Sequence, residues 1–265
     1  MLRFMRSICD DLEAEHADLD DIVAGLDDGQ WDTDTPSPGW TIRDQVSHLW
    51  FFDQRAVLAL TDADAFVADT QWLASHGGTD ASILPGRSIP SSDLLRHWRD
   101  ERRELIDIAS ALDPATRVLW YGPPMGARSF ITARLMETWA HGQDIADALG
   151  ITRRPMARLR HVAHIGVRAR PFSYVVHGMA VPEVDVAVRL TAPDGEHWDW
   201  GGSTADSVSG PALDFCLVVT QRRHLADTAL RVVGDSAVQW MSIAQAFAGG
   251  VGAGREPGQF RVTDR

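Results

Sequence analysis

Basic residues, cysteines and long apolar runs are all scarce in this sequence. Lysine and arginine total 25 against 37 aspartate and glutamate, which gives a formal net charge of -12. A chain this acidic repels a polyphosphate backbone unless a local basic patch compensates, so the composition argues against nucleic acid as a partner. No stretch approaches the roughly 20 apolar residues of a membrane helix, and the N-terminus MLRFMRSICDDLEAEH lacks the apolar segment of a secretory signal. We therefore expect a cytoplasmic protein with no membrane partner.

The two cysteines, Cys9 and Cys216, are too far apart for a CxxC pair and too few for a disulfide framework. We interpret both as buried thiols. A nucleophilic Cys216 would need an activating base nearby, but within LDFCLVVT it is one apolar position among many.

The sequence does contain extended helical periodicity. Apolar residues recur at helical spacing in four segments, which are residues 2–26, 41–60, 91–112 and 130–150. Thr41 can cap the second helix with Asp44 as its capping-box partner, and Gly150 suits the end of the fourth. A loop from Ser75 to Pro90 is expected between the second and third helices. The pattern predicts a mainly α protein that begins with four helices.

The C-terminal part of the chain has a different pattern. VDVAVRLTA alternates hydrophobic and polar residues and leads through the turn PDG into EHWDWGG, which predicts a β-hairpin. A helix near PALDFCLVVT, a strand in ALRVVGD and a helix in SAVQWMSIAQAFAGG follow. We predict a helical domain over residues 1–150 and a smaller α+β domain over residues 151–265, with the boundary between Gly150 and Val184.

Three residues have the chemistry of a metal site. Glu137 and His141 are four residues apart, so a helix brings them onto one face; a solvated Glu-His pair is the alternative. His48 lies among large apolar residues in VSHLWFF, where it either binds metal or is a core histidine bonded to a backbone carbonyl. Two histidines and a glutamate suit zinc and leave its fourth position open. We predict one divalent ion, zinc or a similar metal, on His48, Glu137 and His141.

Two further residues are candidates for catalytic roles. Asp144, three residues after His141, could accept a hydrogen bond from a ligand imidazole and fix its tautomer; the alternative is an exposed acidic residue. Arg134, three residues before Glu137, could hold a substrate carboxylate or a sugar hydroxyl; the alternative is a surface arginine.

Two segments together carry a family resemblance. PGWTIRDQVSHLWFFDQRAV, followed later by ETWAHGQDIADALG, resembles the DinB-like superfamily, and is most similar to its actinobacterial branch of mycothiol-dependent maleylpyruvate isomerases. The resemblance implies a four-helix bundle that holds a metal through His48, Glu137 and His141. The segment from VDVAVRLTAPDG to ALRVVGD also resembles the small domain that follows the bundle in that family. The nearest candidates for the family's substrate-contacting arginines there are Arg222 and Arg223.

The resemblance implies an enzyme that uses a metal and a thiol. Zinc would activate a low-molecular-weight thiol such as mycothiol, for S-transfer to a small electrophile or for its thiol-assisted cis-trans isomerisation. A metal-dependent hydrolase and a non-catalytic binding or resistance protein remain alternatives. The sequence leaves open whether the protein is a monomer or a homodimer.

Overall fold

The computed structural model describes residues 2–203 and 205–260, which divide after Arg153 into two units. In chain order the helices of the first unit are α1 (Leu2–Val23), α2 (Asp28–Trp31), α3 (Ile42–Thr61), α4 (Ala63–Ser75), α5 (Leu84–Arg87), α6 (Ser91–Ser110) and α7 (Ala127–Ala148). The long helices α1, α3, α6 and α7 form a four-helix bundle, in which α3 and α1 each contact both α6 and α7. The predicted bundle is thus confirmed.

The apolar faces predicted from helical spacing form the core of this bundle. Each of the four helices contributes side chains that are at most 8% exposed to one cluster, which includes Leu19, Val46, Leu49, Leu94, Trp98 and Ile145. Burial of each such side chain stabilises the fold by about 1.5–3 kcal/mol relative to leaving it in water. The core is therefore built from helix-to-helix contacts of apolar residues.

The start of α3 is fixed by the predicted capping box. Thr41 Oγ1 accepts a hydrogen bond from the Asp44 amide, and Asp44 Oδ2 accepts one from the Thr41 amide. Arg87 also pairs with Asp44, at 2.7 Å. These bonds fix the first turn of the helix that carries His48.

The predicted loop from Ser75 to Pro90 is largely helical, which corrects that prediction. It contains a 3₁₀ helix (Gly78–Ile83) and α5. Ser47 Oγ of α3 donates to the Ser82 carbonyl and accepts from the Gly86 amide, so this segment packs directly on α3. A Cβ atom at Gly86 would lie 2.5 Å from Ser47 Cβ, so the close approach requires glycine.

Smaller differences occur at the ends of the other predicted helices. The first helix ends at Val23 rather than Leu26. Before α7, the short strands β1 (Arg117–Val118) and β2 (Met125–Gly126) pair antiparallel, and α7 begins at Ala127 rather than Phe130.

The second unit has helices and one four-stranded sheet. Its elements are α8 (Leu159–Arg168), α9 (Arg170–Val176), β3 (Ala187–Thr191), β4 (His197–Trp200), β5 (Ser207–Pro211), α10 (Ala212–Val219), a 3₁₀ helix (Leu225–Asp227), β6 (Arg231–Val233) and α11 (Asp235–Ile243). The strand order is β4-β3-β5-β6, with β3 antiparallel to β4 and parallel to β5. Val188 of β3 is paired with Trp200 on one side and with Val208 on the other.

The predicted hairpin, the helix α10 and the strand β6 are confirmed, and α11 is shorter than predicted. Gln245, which is 1% exposed, donates to the carbonyls of Phe247 and Gly250, so the chain after Ile243 leaves the helix. The helices α8 and α9 and the strand β5 were not predicted from the sequence. The β5 segment SVSGP contains a glycine and a proline, which strands disfavour, and its only β-branched residue is Val208.

Within the part of the chain that the structure describes, no helix combines the length and the apolar character needed to cross a membrane.

Candidate metal centre

Helices α3 and α7 bring the three predicted metal ligands together. One donor atom from each of His48, Glu137 and His141 lies within 4.8 Å of the other two. Glu137 Oε2 is 3.3 Å from His141 Nε2 and 3.8 Å from His48 Nε2. Donor atoms of a tetrahedral zinc site, with bonds of 2.0–2.1 Å, lie about 3.4 Å apart. The cluster therefore has the donor chemistry and nearly the spacing that a divalent ion requires.

Burial and the interactions between the three side chains together set the protonation states in this cluster. His48 is 5% exposed, and burial, together with repulsion from His141, lowers its pKa to about 3. Burial alone would raise the pKa of Glu137, but its interactions with His141 and His48 hold that pKa well below its ordinary value. At neutral pH the site thus offers a neutral His48 imidazole and a Glu137 carboxylate, which are the forms that ligate metals. A solvated Glu-His pair is not what the structure contains, since His141 is only 9% exposed.

Each candidate ligand histidine has a side-chain partner at its second ring nitrogen. His48 Nδ1 lies 2.9 Å from Ser82 Oγ, and His141 Nδ1 lies 2.5 Å from Gln45 Oε1. His48 is therefore not a core histidine bonded to a backbone carbonyl. Neither Gln45 nor Ser82 was predicted from the sequence as a partner of these histidines. Gln45 could have been predicted, because it is a polar residue on the inner face of α3. Ser82 could not, because it lies in a segment that the sequence predicted as a loop.

Aromatic rings surround the imidazoles. The Trp40 ring centroid is 5.1 Å from that of His48 and 6.0 Å from that of His141. Phe52 packs against His48 at 4.7 Å and against Tyr121 at 5.6 Å. These rings exclude water from part of the site and so strengthen the electrostatic interactions within it.

Arg134 is buried, which corrects the alternative of a surface arginine. It is 3% exposed, and its Nη2 and Nε donate to Asp53 Oδ1 at 2.8 and 3.2 Å. Trp98 Nε1 donates to the other oxygen of Asp53. Burial raises the pKa of Asp53, and the Arg134 charge and the two sets of hydrogen bonds act against that rise. Arg134 is near enough to His48 that its charge helps to lower the His48 pKa.

Asp144 does not make the hydrogen bond that was predicted for it. It is completely buried, so the exposed alternative is also wrong, and its Oδ2 accepts from Ser37 Oγ at 3.1 Å. On a helix, Asp144 lies about 60° around the axis from His141 and so faces different neighbours. Gln45 occupies the position at His141 that was predicted for Asp144.

Arg222 and Arg223 lie in the turn after α10. Arg222 Nη1 donates to the Thr220 carbonyl, Arg223 Nη1 donates to the Arg222 carbonyl, and the Arg223 guanidinium packs 4.5 Å from the Phe260 ring centroid. These contacts hold the turn within the second unit.

Comparisons with known proteins find chains that are similar in sequence. Residues 12–146, which contain all three candidate ligands, match the family model described as the mycothiol maleylpyruvate isomerase N-terminal domain. The uncharacterized proteins MT0041 and Rv0036c of Mycobacterium tuberculosis (strains CDC 1551 / Oshkosh and ATCC 25618 / H37Rv) are each 44% identical over 248 residues, which is 92% of this chain and 96% of theirs.

A solved structure extends the fold comparison to both units. The crystal structure of the mycothiol-dependent maleylpyruvate isomerase superimposes with a TM-score of 0.57 at 15% identity, and covers 83% of this chain and 90% of that chain. At this identity the likeness concerns the fold. The family match and the fold agree with the resemblance seen in the sequence. This chain therefore belongs to the family of the mycothiol maleylpyruvate isomerase N-terminal domain.

Proposed function

We propose that the protein is a zinc-dependent enzyme that activates a low-molecular-weight thiol such as mycothiol against a small electrophile. The observation that carries this proposal is the cluster of donor atoms from His48, Glu137 and His141. Three protein ligands leave one position of a tetrahedral ion open, as in catalytic zinc sites. The solved enzyme of similar fold is a mycothiol-dependent isomerase, which supports mycothiol as the thiol.

Zinc bound by these residues would lower the pKa of a thiol in the open position, so that a thiolate forms near neutral pH. His48, Glu137 and His141 would hold the ion so that this position stays open to the thiol. Because the ligands are one carboxylate and two neutral imidazoles, a bound divalent ion would keep a positive net charge, which would attract the thiolate form. The rings of Trp40 and Phe52 limit access of water to the imidazoles.

The nucleophile has to come from the cosubstrate, because neither cysteine is suited to the task. Cys9 and Cys216 are both buried, as predicted from the sequence, and burial raises the pKa of each thiol. A buried neutral thiol is a poor nucleophile.

One first step accounts for either reaction. The thiolate adds to a carbon of a conjugated double bond, and the displaced electron pair moves to the conjugated carbonyl. If the former double bond rotates and the electron pair returns, the same thiolate is expelled and the geometric isomer forms. If a proton instead adds to the other carbon of the former double bond, the thioether is released, which is S-transfer.

We propose Arg134 as the group that attracts an acidic electrophile. Its Nη2 and Nε are bonded to Asp53, whereas no hydrogen bond from Nη1 is found within the described chain. The Nη1 group of Arg134 therefore keeps its two N–H donors for a carboxylate oxygen. Asp144 has no role in this proposal.

A product screen by mass spectrometry tests the proposed reaction. Zinc-loaded protein is incubated with mycothiol and with a panel of cis-unsaturated acids and their neutral esters. We expect products that need both the thiol and the protein: either a thioether, or an isomer of unchanged mass that chromatography separates. We expect the acids to react faster than the esters, because Arg134 is cationic.

Reactions without thiol and reactions with the His48→Ala variant are the controls. A product that forms without thiol and has gained the mass of water would replace this proposal with a hydrolase. Stoichiometric zinc without turnover of any member of the panel would favour a binding protein.

Removal of the metal should leave the fold intact. The bundle core consists of apolar side chains such as Leu49, Trp98 and Ile145, and contains no ligand residue. We expect a chelator to abolish turnover while the helical circular dichroism changes by less than about a tenth, unlike a zinc finger, which unfolds without its metal. Loss of most of the helical signal would mean that the metal is structural.

A further inference from the structure

We propose that Thr35 and Gln45 form a relay that fixes which nitrogen of His141 is available to a metal. The relay rests on the proposed function, since it concerns the same candidate site. His141 Nδ1 is 2.5 Å from Gln45 Oε1, and Gln45 Nε2 donates to Thr35 Oγ1 at 2.9 Å. Thr35 Oγ1 in turn donates to the Trp40 carbonyl at 2.7 Å. Three consecutive hydrogen bonds therefore connect a backbone carbonyl to the imidazole.

The Trp40 carbonyl at one end of this relay fixes the direction of every hydrogen bond in it. The Trp40 carbonyl can only accept, so the single hydroxyl proton of Thr35 points at it. Thr35 Oγ1 is then left to accept from the Gln45 amide group, which turns Gln45 Oε1 towards His141. An oxygen at that position requires a proton on His141 Nδ1. The Nε2 atom, which faces Glu137, consequently carries the lone pair that a metal needs.

The carbonyl at the end of the relay is itself held in place. The Trp40 carbonyl also accepts from the Thr35 amide at 2.8 Å, and the Trp40 amide donates to the Ser37 carbonyl at 3.0 Å. Gly39, with φ of 78°, allows this tight turn. Gln45 is completely buried, so an incorrectly turned amide would have no water to compensate for a lost hydrogen bond.

His48 is oriented by the same principle from a different segment. Ser82 Oγ donates to the Thr79 carbonyl at 2.6 Å, so it accepts from His48 Nδ1 and leaves Nε2 of His48 with its lone pair. Both histidines thus present Nε2 to Glu137 before any metal binds. Preorganisation of this kind improves affinity because the ligands need no rearrangement.

The test compares Thr35→Val with Thr35→Ser. Valine has nearly the shape of threonine but no hydroxyl, whereas serine keeps it. In the zinc-free protein, nitrogen-detected NMR of the imidazoles reports which ring nitrogen of His141 carries the proton. We expect Nδ1–H in the wild type and in Thr35→Ser, and a substantial population of Nε2–H in Thr35→Val, because the Gln45 amide can then turn its NH₂ group towards His141.

Zinc affinity, measured by competition with a chromophoric chelator, provides the second readout. We expect Thr35→Val to weaken zinc binding by about tenfold, the lower end of the cost of losing an outer-shell partner, and Thr35→Ser to leave it unchanged. Gln45→Leu, which removes the acceptor itself, should weaken binding by about tenfold to a hundredfold. Gln45→Leu also serves if Thr35→Val folds poorly.

The two possible failures can be distinguished. An unchanged His141 tautomer and unchanged zinc affinity in both Thr35→Val and Gln45→Leu would overturn the relay. Absence of zinc binding by the wild type would overturn the proposed function, while the NMR comparison would still decide the relay.

Discussion

Replacing both candidate histidine ligands, in the double variant His48→Ala and His141→Ala, should remove the metal and abolish thiol-dependent turnover. The wild type should hold about one zinc or similar divalent ion per chain, because three donors converge on one point. Glu137 alone cannot retain the ion against a chelating buffer. Metal analysis of the dialysed proteins and the product assay measure the two effects.

A second double variant, His76→Ala and His97→Ala, is the matched control. His76 stacks on Trp72 and His97 stacks on Trp50, and neither belongs to the ligand cluster. This control should keep both its metal and its turnover. Full stoichiometric metal in the variant without His48 and His141 would refute the assignment of the site.

Replacing Asp53 with asparagine should destabilise the protein by about 3–5 kcal/mol, because it leaves the Arg134 charge buried without a counter-ion. Both side chains of this pair are at most 3% exposed, so water cannot solvate the guanidinium in the folded state. The free energy of unfolding from urea titrations measures the change.

An exposed ion pair gives the matched control for this prediction. Asp100 and Arg103 lie 3.2 Å apart on α6, and both side chains are at least 60% exposed. Asp100→Asn should change stability by less than about 1 kcal/mol. A loss below about 1 kcal/mol for Asp53→Asn would show that the buried pair is not ionised or that the structure relaxes around Arg134.

The same pair also separates two roles of Arg134. The double variant Asp53→Leu and Arg134→Met replaces the buried ion pair with apolar side chains, a change that is often neutral for stability. If Arg134 attracts an acidic substrate, this variant should fold and bind zinc but lose its preference for acids over esters. A preference equal to that of the wild type would assign Arg134 to the fold alone.

The local features of the sequence predicted much of this protein. Helical spacing gave the four bundle helices, and alternation gave the β3/β4 hairpin. The Thr41–Asp44 capping box was predictable because its two partners are three residues apart. Glu137 and His141 share a face for the same local reason, since they are four residues apart on one helix.

By itself the sequence determined the four bundle helices, the hairpin and the identity of three residues with metal-binding chemistry. The tertiary structure decided how His48 meets Glu137 and His141, that Arg134 faces Asp53, and that Gln45 rather than Asp144 bonds to His141. The tertiary structure also decided that residues 78–87 pack on α3 and place Ser82 beside His48. The physical reason is that hydrogen bonds and ion pairs between distant residues depend on how helices pack. Spacing along the chain specifies a face of one helix, but not which side chain of another helix lies opposite it.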